Sequence, residues 1–187
     1  MRVIAGDCKS RVLKAVPGKN TRPTTDKIKE ALFSIIGPFF EGEEVLDLFA
    51  GSGGLGIEAL SRGAKTAVFI DQSSLAIKTI HENLTTCKLT EQAEVFRNEA
   101  FRALKIFAKQ ERCFDLIFLD PPYKKQQLET IISQLDTLEM VRPGSQIICE
   151  HDKEATLPKN LGRLTKIREA TYGITILSIY RLEEGLQ

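Results

Sequence analysis

The residues in this 187-residue chain with the most specific chemistry are Asp120-Pro121-Pro122-Tyr123. Two consecutive prolines fix two φ angles and remove two N–H donors. The groups around them are therefore mainly acceptors, namely the Asp120 carboxylate and the backbone carbonyls. The exocyclic amino group of a nucleic-acid base has the complementary needs. It offers two N–H donors, and its lone pair is conjugated into the ring. Asp120 and the Pro121 carbonyl can hold those N–H bonds and stabilise positive charge as the nitrogen pyramidalises towards a methyl group. This is placement and electrostatic stabilisation of an in-line transfer. Tyr123 adds a face on which a base stacks with little sequence preference. By itself the tetrapeptide leaves base, amide and nucleic acid open.

A second constellation lies upstream in Asp47-Leu48-Phe49-Ala50-Gly51-Ser52-Gly53-Gly54-Leu55-Gly56. Gly51, Gly53 and Gly56 spell G-x-G-x-x-G. Such glycines let the backbone turn sharply and approach a ligand, while the following helix presents free N–H groups. The pattern also fits NAD and FAD proteins. Asp71, twenty residues after Gly51, can accept hydrogen bonds from both hydroxyls of a ribose, which again fits either cofactor. Asp47 shifts the balance. An acid inside an apolar strand is costly without a partner. S-adenosylmethionine brings an ammonium and a sulfonium and no phosphate, so a carboxylate beside the loop suits it and would repel a pyrophosphate. The expected cofactor-binding set is Asp47, Phe49, Ala50, Gly51, Ser52, Gly53, Gly56, Asp71, Gln72, Asn98 and Glu99, the last two meeting the adenine edge.

The elements that must position these groups alternate. Apolar strands are expected over residues 44–49, 67–71, 94–97, 114–120 and 146–150. Helices are expected from the glycine loop to about Gly63, from a Ser73 or Ser74 cap through Leu84, over 100–109 and over 126–138. An earlier helix, capped by Thr24 or Thr25, carries an apolar stripe of Ile28, Ala31, Leu32, Ile35 and Ile36 and stops at Gly37-Pro38. Two short strands, residues 2–5 and 11–16, precede it around a Gly6 turn. Two more close the chain, residues 163–169 and 174–182, joined across Thr171-Tyr172-Gly173. Alternation of strand and helix implies a parallel α/β sheet with ligands at the carboxyl ends of its strands. With its closing hairpin the pattern resembles the Rossmann-like class I methyltransferase fold, a mostly parallel seven-stranded sheet with an antiparallel last strand. Pro143-Gly144 reads as a turn into the fifth strand.

Composition narrows the partners. No apolar run approaches the length of a membrane span, and a charge at Asp7 interrupts any signal-peptide core, so a cytoplasmic protein is expected. Cys8, Cys87, Cys113 and Cys149 form no C-x-x-C pair, and only His81 and His151 could assist them, so no metal site is expected. Net charge is +1, yet residues 1–36 hold eight bases (Arg2, Lys9, Arg11, Lys14, Lys19, Arg22, Lys27, Lys29) against Asp7, Asp26 and Glu30. That arm is +5 on a mildly acidic body, which suggests a polyanionic partner.

With these residues in view, the sequence closely resembles the RsmD family of bacterial 16S rRNA guanine-N2 methyltransferases, almost end to end. The likeness rests on Met1-Arg2-Val3-Ile4-Ala5-Gly6, Thr21-Arg22-Pro23-Thr24, residues 45–64, residues 114–123, Ile148-Cys149-Glu150 and Tyr172-Gly173. Asp120 to Tyr123 match the (Asp/Asn)-Pro-Pro-aromatic motif of amino methyltransferases. The resemblance implies S-adenosyl-L-methionine as donor and 16S rRNA, in the small subunit or its assembly precursor, as partner. It implies methylation of N2 of one guanine, position 966 in conventional numbering, by a monomer. It also implies an RNA-contacting hairpin arm over residues 1–23 ahead of a methyltransferase domain over 24–187. Arg2, Lys9, Arg11, Arg22, Thr24 and Tyr172 are the expected RNA contacts. Glu99 departs from the short polar or acidic residue usual there, and Ser10 stands where the family commonly has glycine. Adenine-N6 and protein glutamine-N5 methylation, and RNA binding without catalysis, remain alternatives on the residues alone.

Overall fold

The computed structural model describes residues 1–18, 25–122 and 125–185. They divide into two compact units, Met1–Glu99 and Ala100–Gln187. No helix among the described residues is long and apolar enough to cross a membrane.

The first unit opens with an arm that is not the expected hairpin of strands. Arg2 and Val12 form one isolated antiparallel bridge, supported by Val3 N–H to the Arg11 carbonyl and Leu13 N–H to the Met1 carbonyl, both 2.9 Å. The ladder stops there because side chains take its donors. Ile4 and Ala5 give their N–H groups to Glu58, and Cys8 gives its to Ser61 Oγ. Gly6 and Ser10 turn the chain with φ of 87° and 70°.

Helix α1 (Asp26–Ile36) starts where the Thr25 side chain accepts from Ile28 N–H, and it ends at Gly37, whose φ is 125°. Its buried face is Lys29, Leu32, Phe33 and Ile36. Of the expected stripe Leu32 and Ile36 are buried and Ile28, Ala31 and Ile35 half-buried; Phe33 joins the buried face, as does Lys29, which has a buried acid to meet. Strands β1 (Glu44–Asp47), β2 (Thr66–Asp71) and β3 (Ala93–Arg97) lie in the order β3-β2-β1, all parallel. Asp47 pairs in register with Phe69, and Asp71 with Arg97. The carboxyl ends of all three strands therefore share one edge. Helix α2 (Gly54–Ser61) follows β1, and α3 (Ser74–Cys87), capped by Ser73, follows β2.

The second unit contains α4 (Ala100–Lys109), β4 (Phe114–Leu119), α5 (Lys125–Thr137), β5 (Val141–His151), β6 (Asn160–Leu161), β7 (Leu164–Tyr172) and β8 (Thr175–Leu182). Its strands run β4-β5-β8-β7-β6. The first pair is parallel and each later pair antiparallel. β5 begins earlier than expected. Pro143-Gly144 makes a bulge inside it, so the partners of Phe114 and Leu116 are Val141 and Gln146. A proline without an N–H interrupts the ladder, and Gly144 absorbs the bend with a φ of 89°. Tyr172 pairs with Thr175, so the closing turn is Gly173-Ile174. The described strands number eight rather than the seven expected, since the two-residue β6 gives no readable periodicity.

Candidate active site

The glycine loop is built by three different constraints. Gly53 N–H returns to the Ala50 carbonyl at 2.8 Å, closing a tight turn in which Gly51 and Gly53 have φ of 56° and 84°. A side chain at either would be strained. Gly56 serves packing instead, since a Cβ there would lie 2.4 Å from Phe69 Cε1. Alanine would push α2 off β2.

Two carboxylates hold the loop from below. Asp47 is only 3% exposed and accepts Gly56 N–H at 3.1 Å, pinning the first turn of α2. Asp71 accepts Gly51 N–H through one oxygen and Ser73 N–H through the other, both at 2.9 Å. It is half-buried, and each of its oxygens has a second lone pair beyond these bonds. Nothing stands within 4 Å of the position a Gly51 Cβ would take. This open cradle beside an acid with free acceptor capacity fits the ribose and amino-acid ends of S-adenosylmethionine. Asn98 N–H bonds the Asp71 carbonyl at 3.1 Å, and its side-chain oxygen accepts Glu99 N–H at 2.8 Å. Phe49, Ser52, Asn98 and Glu99 are half-buried, Ala50 is buried, and Gln72 is exposed with its carbonyl on Arg97 Nε. The structure therefore brings the whole expected cofactor set to one strand edge of the first unit.

Sequence reasoning missed three residues around this loop: Glu58, Ser61 and Asn83. Glu58 is fully buried among Ile4, Ala5, Lys29 and Arg62. Burial pushes the Lys29 amine down, and Glu58 opposes that shift. Ser61 Oγ donates to the Ala5 carbonyl while accepting Cys8 N–H. One signal was available, a glutamate set between Ile57 and Ala59 on an otherwise apolar helix.

In the second unit β4 ends at Leu119, and the acceptor loop follows it. Asp120 is half-buried, Pro121 buried and Pro122 exposed. Tyr123 lies outside the described residues, as do Arg22 and Thr24. The arm's cations separate into groups. Lys9 and Arg11 are exposed. Arg2 pairs with Asp26 and Lys14 with Glu82, each at 3.1 Å. Lys29, counted with the basic arm from charge alone, is fully buried and adds nothing to a polyanion surface. Tyr172 is half-exposed at the end of β7. Among the described residues no cluster of His, Cys, Asp or Glu is arranged to hold a metal ion.

An α/β chain with a glycine turn after its first strand, an acid closing its second and a final antiparallel hairpin has the fold of the S-adenosylmethionine-dependent methyltransferases. The solved structure of YhhF from Escherichia coli matches with a TM-score of 0.84 at 31% identity, over 98% of this chain and 98% of that one. The family model described as Conserved hypothetical protein 95 matches residues 1–181, and the chain belongs to this family, the RsmD family. YlbH of Bacillus subtilis is 52% identical over 181 residues, 97% of this chain and 98% of that protein. Ribosomal RNA small subunit methyltransferase D of Haemophilus influenzae is 38% identical over 184 residues, 97% of this chain and 93% of that protein.

Proposed function

We propose that this methyltransferase modifies the exocyclic N2 of one guanine in 16S rRNA, within the small ribosomal subunit or its precursor. The observation that carries the reading is Asp120-Pro121-Pro122-Tyr123 directly after β4, in a chain whose Haemophilus relative is named as a small-subunit rRNA methyltransferase. Bound S-adenosylmethionine supplies an electrophilic methyl group. The chain's own residues divide the remaining work. Asp71 accepts the ribose hydroxyls, Asp47 offsets the ammonium charge, Phe49 to Gly53 with Gly56 form the cradle, and Gln72, Asn98 and Glu99 border the adenine. Asp120 and the Pro121 carbonyl hold the two amino N–H groups of the guanine, and Pro122 keeps their spacing. Tyr123 stacks on the base once it has left its helix. Arg2, Lys9, Arg11, Arg22 and Thr24 of an arm over residues 1–23, together with Tyr172, contact the RNA backbone. Such contacts give position and affinity more than sequence choice.

The test is methyl incorporation from labelled S-adenosylmethionine into undermethylated small subunits, followed by nucleoside digestion and mass spectrometry. N2-methylguanosine is the expected product. N6-methyladenosine, a methylated protein, or no label beside an active control enzyme would overturn the reading. Asp120→Ala should keep cofactor affinity and lose about 100-fold or more in turnover, as expected when a preorganised acceptor is removed.

A further inference from the structure

Asn83, on the inner face of α3, touches two segments that sequence places far apart. Its Oδ1 accepts Lys14 N–H at 2.8 Å, and its Nδ2 donates to the Lys14 carbonyl at 3.0 Å. The second hydrogen of the same amide goes to the Ser52 carbonyl, inside the glycine loop, at 2.9 Å. The side chain is 1% exposed, so these bonds face no competition from water. Both donor hydrogens of one planar amide are committed, one to the arm and one to the loop. A loop that moves Ser52 must turn the amide, and turning the amide strains both bonds to Lys14. Two further contacts tie the same arm to α2, whose first turn is the end of the glycine loop. Ile4 and Ala5 N–H bond Glu58, and Met1 Sδ lies 2.5 Å from where a Gly54 Cβ would stand.

We propose that Asn83 is a positioning residue that couples cofactor binding in the glycine loop to ordering of the N-terminal arm. The inference rests on the cofactor and RNA reading above and extends it. Coupling between sites is reciprocal. A cofactor that sets the Ser52 turn orders the arm for RNA, and RNA that seats the arm tightens the cofactor.

Hydrogen exchange on the full chain, with and without saturating S-adenosylhomocysteine, tests this without any RNA. In the wild-type protein the ligand should slow exchange across residues 1–16 about five-fold, the low end of ordinary coupling, alongside protection of residues 50–56. In Asn83→Ala the loop should still be protected by ligand while the arm is not. A destabilised fold alone would lower protection in both states and would not remove the ligand-dependent difference selectively. An arm unaffected by ligand in the wild-type protein, or protected equally in the variant, would overturn the coupling. If Asn83→Ala does not fold, Leu13→Ala probes the same link from the arm's side. Leu13 is buried, and loosening it should weaken S-adenosylhomocysteine binding about five-fold in calorimetry; unchanged affinity would overturn the proposal. Failure of the ligand to protect the glycine loop itself is a separate result, and it defeats the cofactor assignment.

Discussion

Substituting Glu58 by glutamine isolates the charge in the buried cluster that anchors the arm. Glutamine keeps an oxygen for Ile4 and Ala5 N–H but removes the buried counter-ion shared by Lys29 and Arg62, leaving Lys29 only the weaker attraction of Asp26. Lys29 Nζ stands 3.3 Å from Glu58 with both side chains fully buried, and Arg62 Nε stands 2.8 Å from it. Arg62 keeps other support, a bond to the Pro38 carbonyl and the face of Phe33 at 4.8 Å. Lys29 keeps only the Arg2 carbonyl among its described hydrogen-bond acceptors, so it bears most of the cost. Breaking a buried pair from one side costs about 3–5 kcal/mol. In a chain of this size each kcal/mol moves Tm by about 2–4 °C, which gives a fall of about 6–20 °C. The loss should also depend on pH. Burial already lowers the Lys29 pKa and Glu58 opposes it, so the variant lowers it further. Between that depressed folded value and the unfolded value near about 10.4 the unfolded chain binds more protons, and stability rises with pH. Thermal melts by circular dichroism should therefore show a gap from wild type that is largest on the acid side of the depressed Lys29 pKa and narrows as pH rises. A Tm within about 2 °C of wild type at neutral pH, or a gap that widens as pH rises, would refute the reasoning.

Other consequences follow from backbone strain and burial. Ser10 has a φ of 70°, a conformation that costs a side chain about 1–2 kcal/mol. Ser10→Gly should raise Tm by about 2–4 °C after the entropy that glycine adds to the unfolded chain is set against it; a lower Tm in the same melts would contradict this. Cys8, Cys87 and Cys149 are buried, and burial pushes the Cys87 thiol up to about 11. Cys113 is partly exposed. Titration with an aromatic disulfide reagent at mildly alkaline pH should find one fast thiol in the native protein and three more only after denaturation.

Much of the first unit was readable because its signals are local. Ser73 ahead of α3, the glycines after β1 and the acid closing β2 are each specified by turn or cap chemistry within a few residues. The helix face containing Lys29 was not readable, because the charge that allows a buried lysine sits 29 positions away at Glu58. The arm was misread for the same reason. Its short apolar runs suit strands, yet its donors are claimed by side chains of α2 before a ladder can form. Pro143-Gly144 reads identically as a turn or a bulge, and only pairing with β4 decides between them.

Three acids of the first unit, Asp47, Glu58 and Asp71, share a feature that bears on how the glycine loop is held. Asp47, Glu58 and Asp71 each accept backbone N–H groups, from Gly56, from Ile4 and Ala5, and from Gly51 and Ser73. Asp47 and Asp71 drew attention in the sequence as partners for a cation and a ribose, and their first task proves to be holding the main chain. The two tasks are compatible. For Asp71, each carboxylate oxygen has two lone pairs, so its one bond to the backbone fixes its orientation and leaves the other for a ligand. Preorganised acceptors need no rearrangement when the ligand arrives. The same device explains why Glu58 lies on α2, one turn beyond the glycine loop. It places the arm on the helix whose first turn ends the glycine loop, so the segment carrying Lys9 and Arg11 is oriented by the element that begins at that loop.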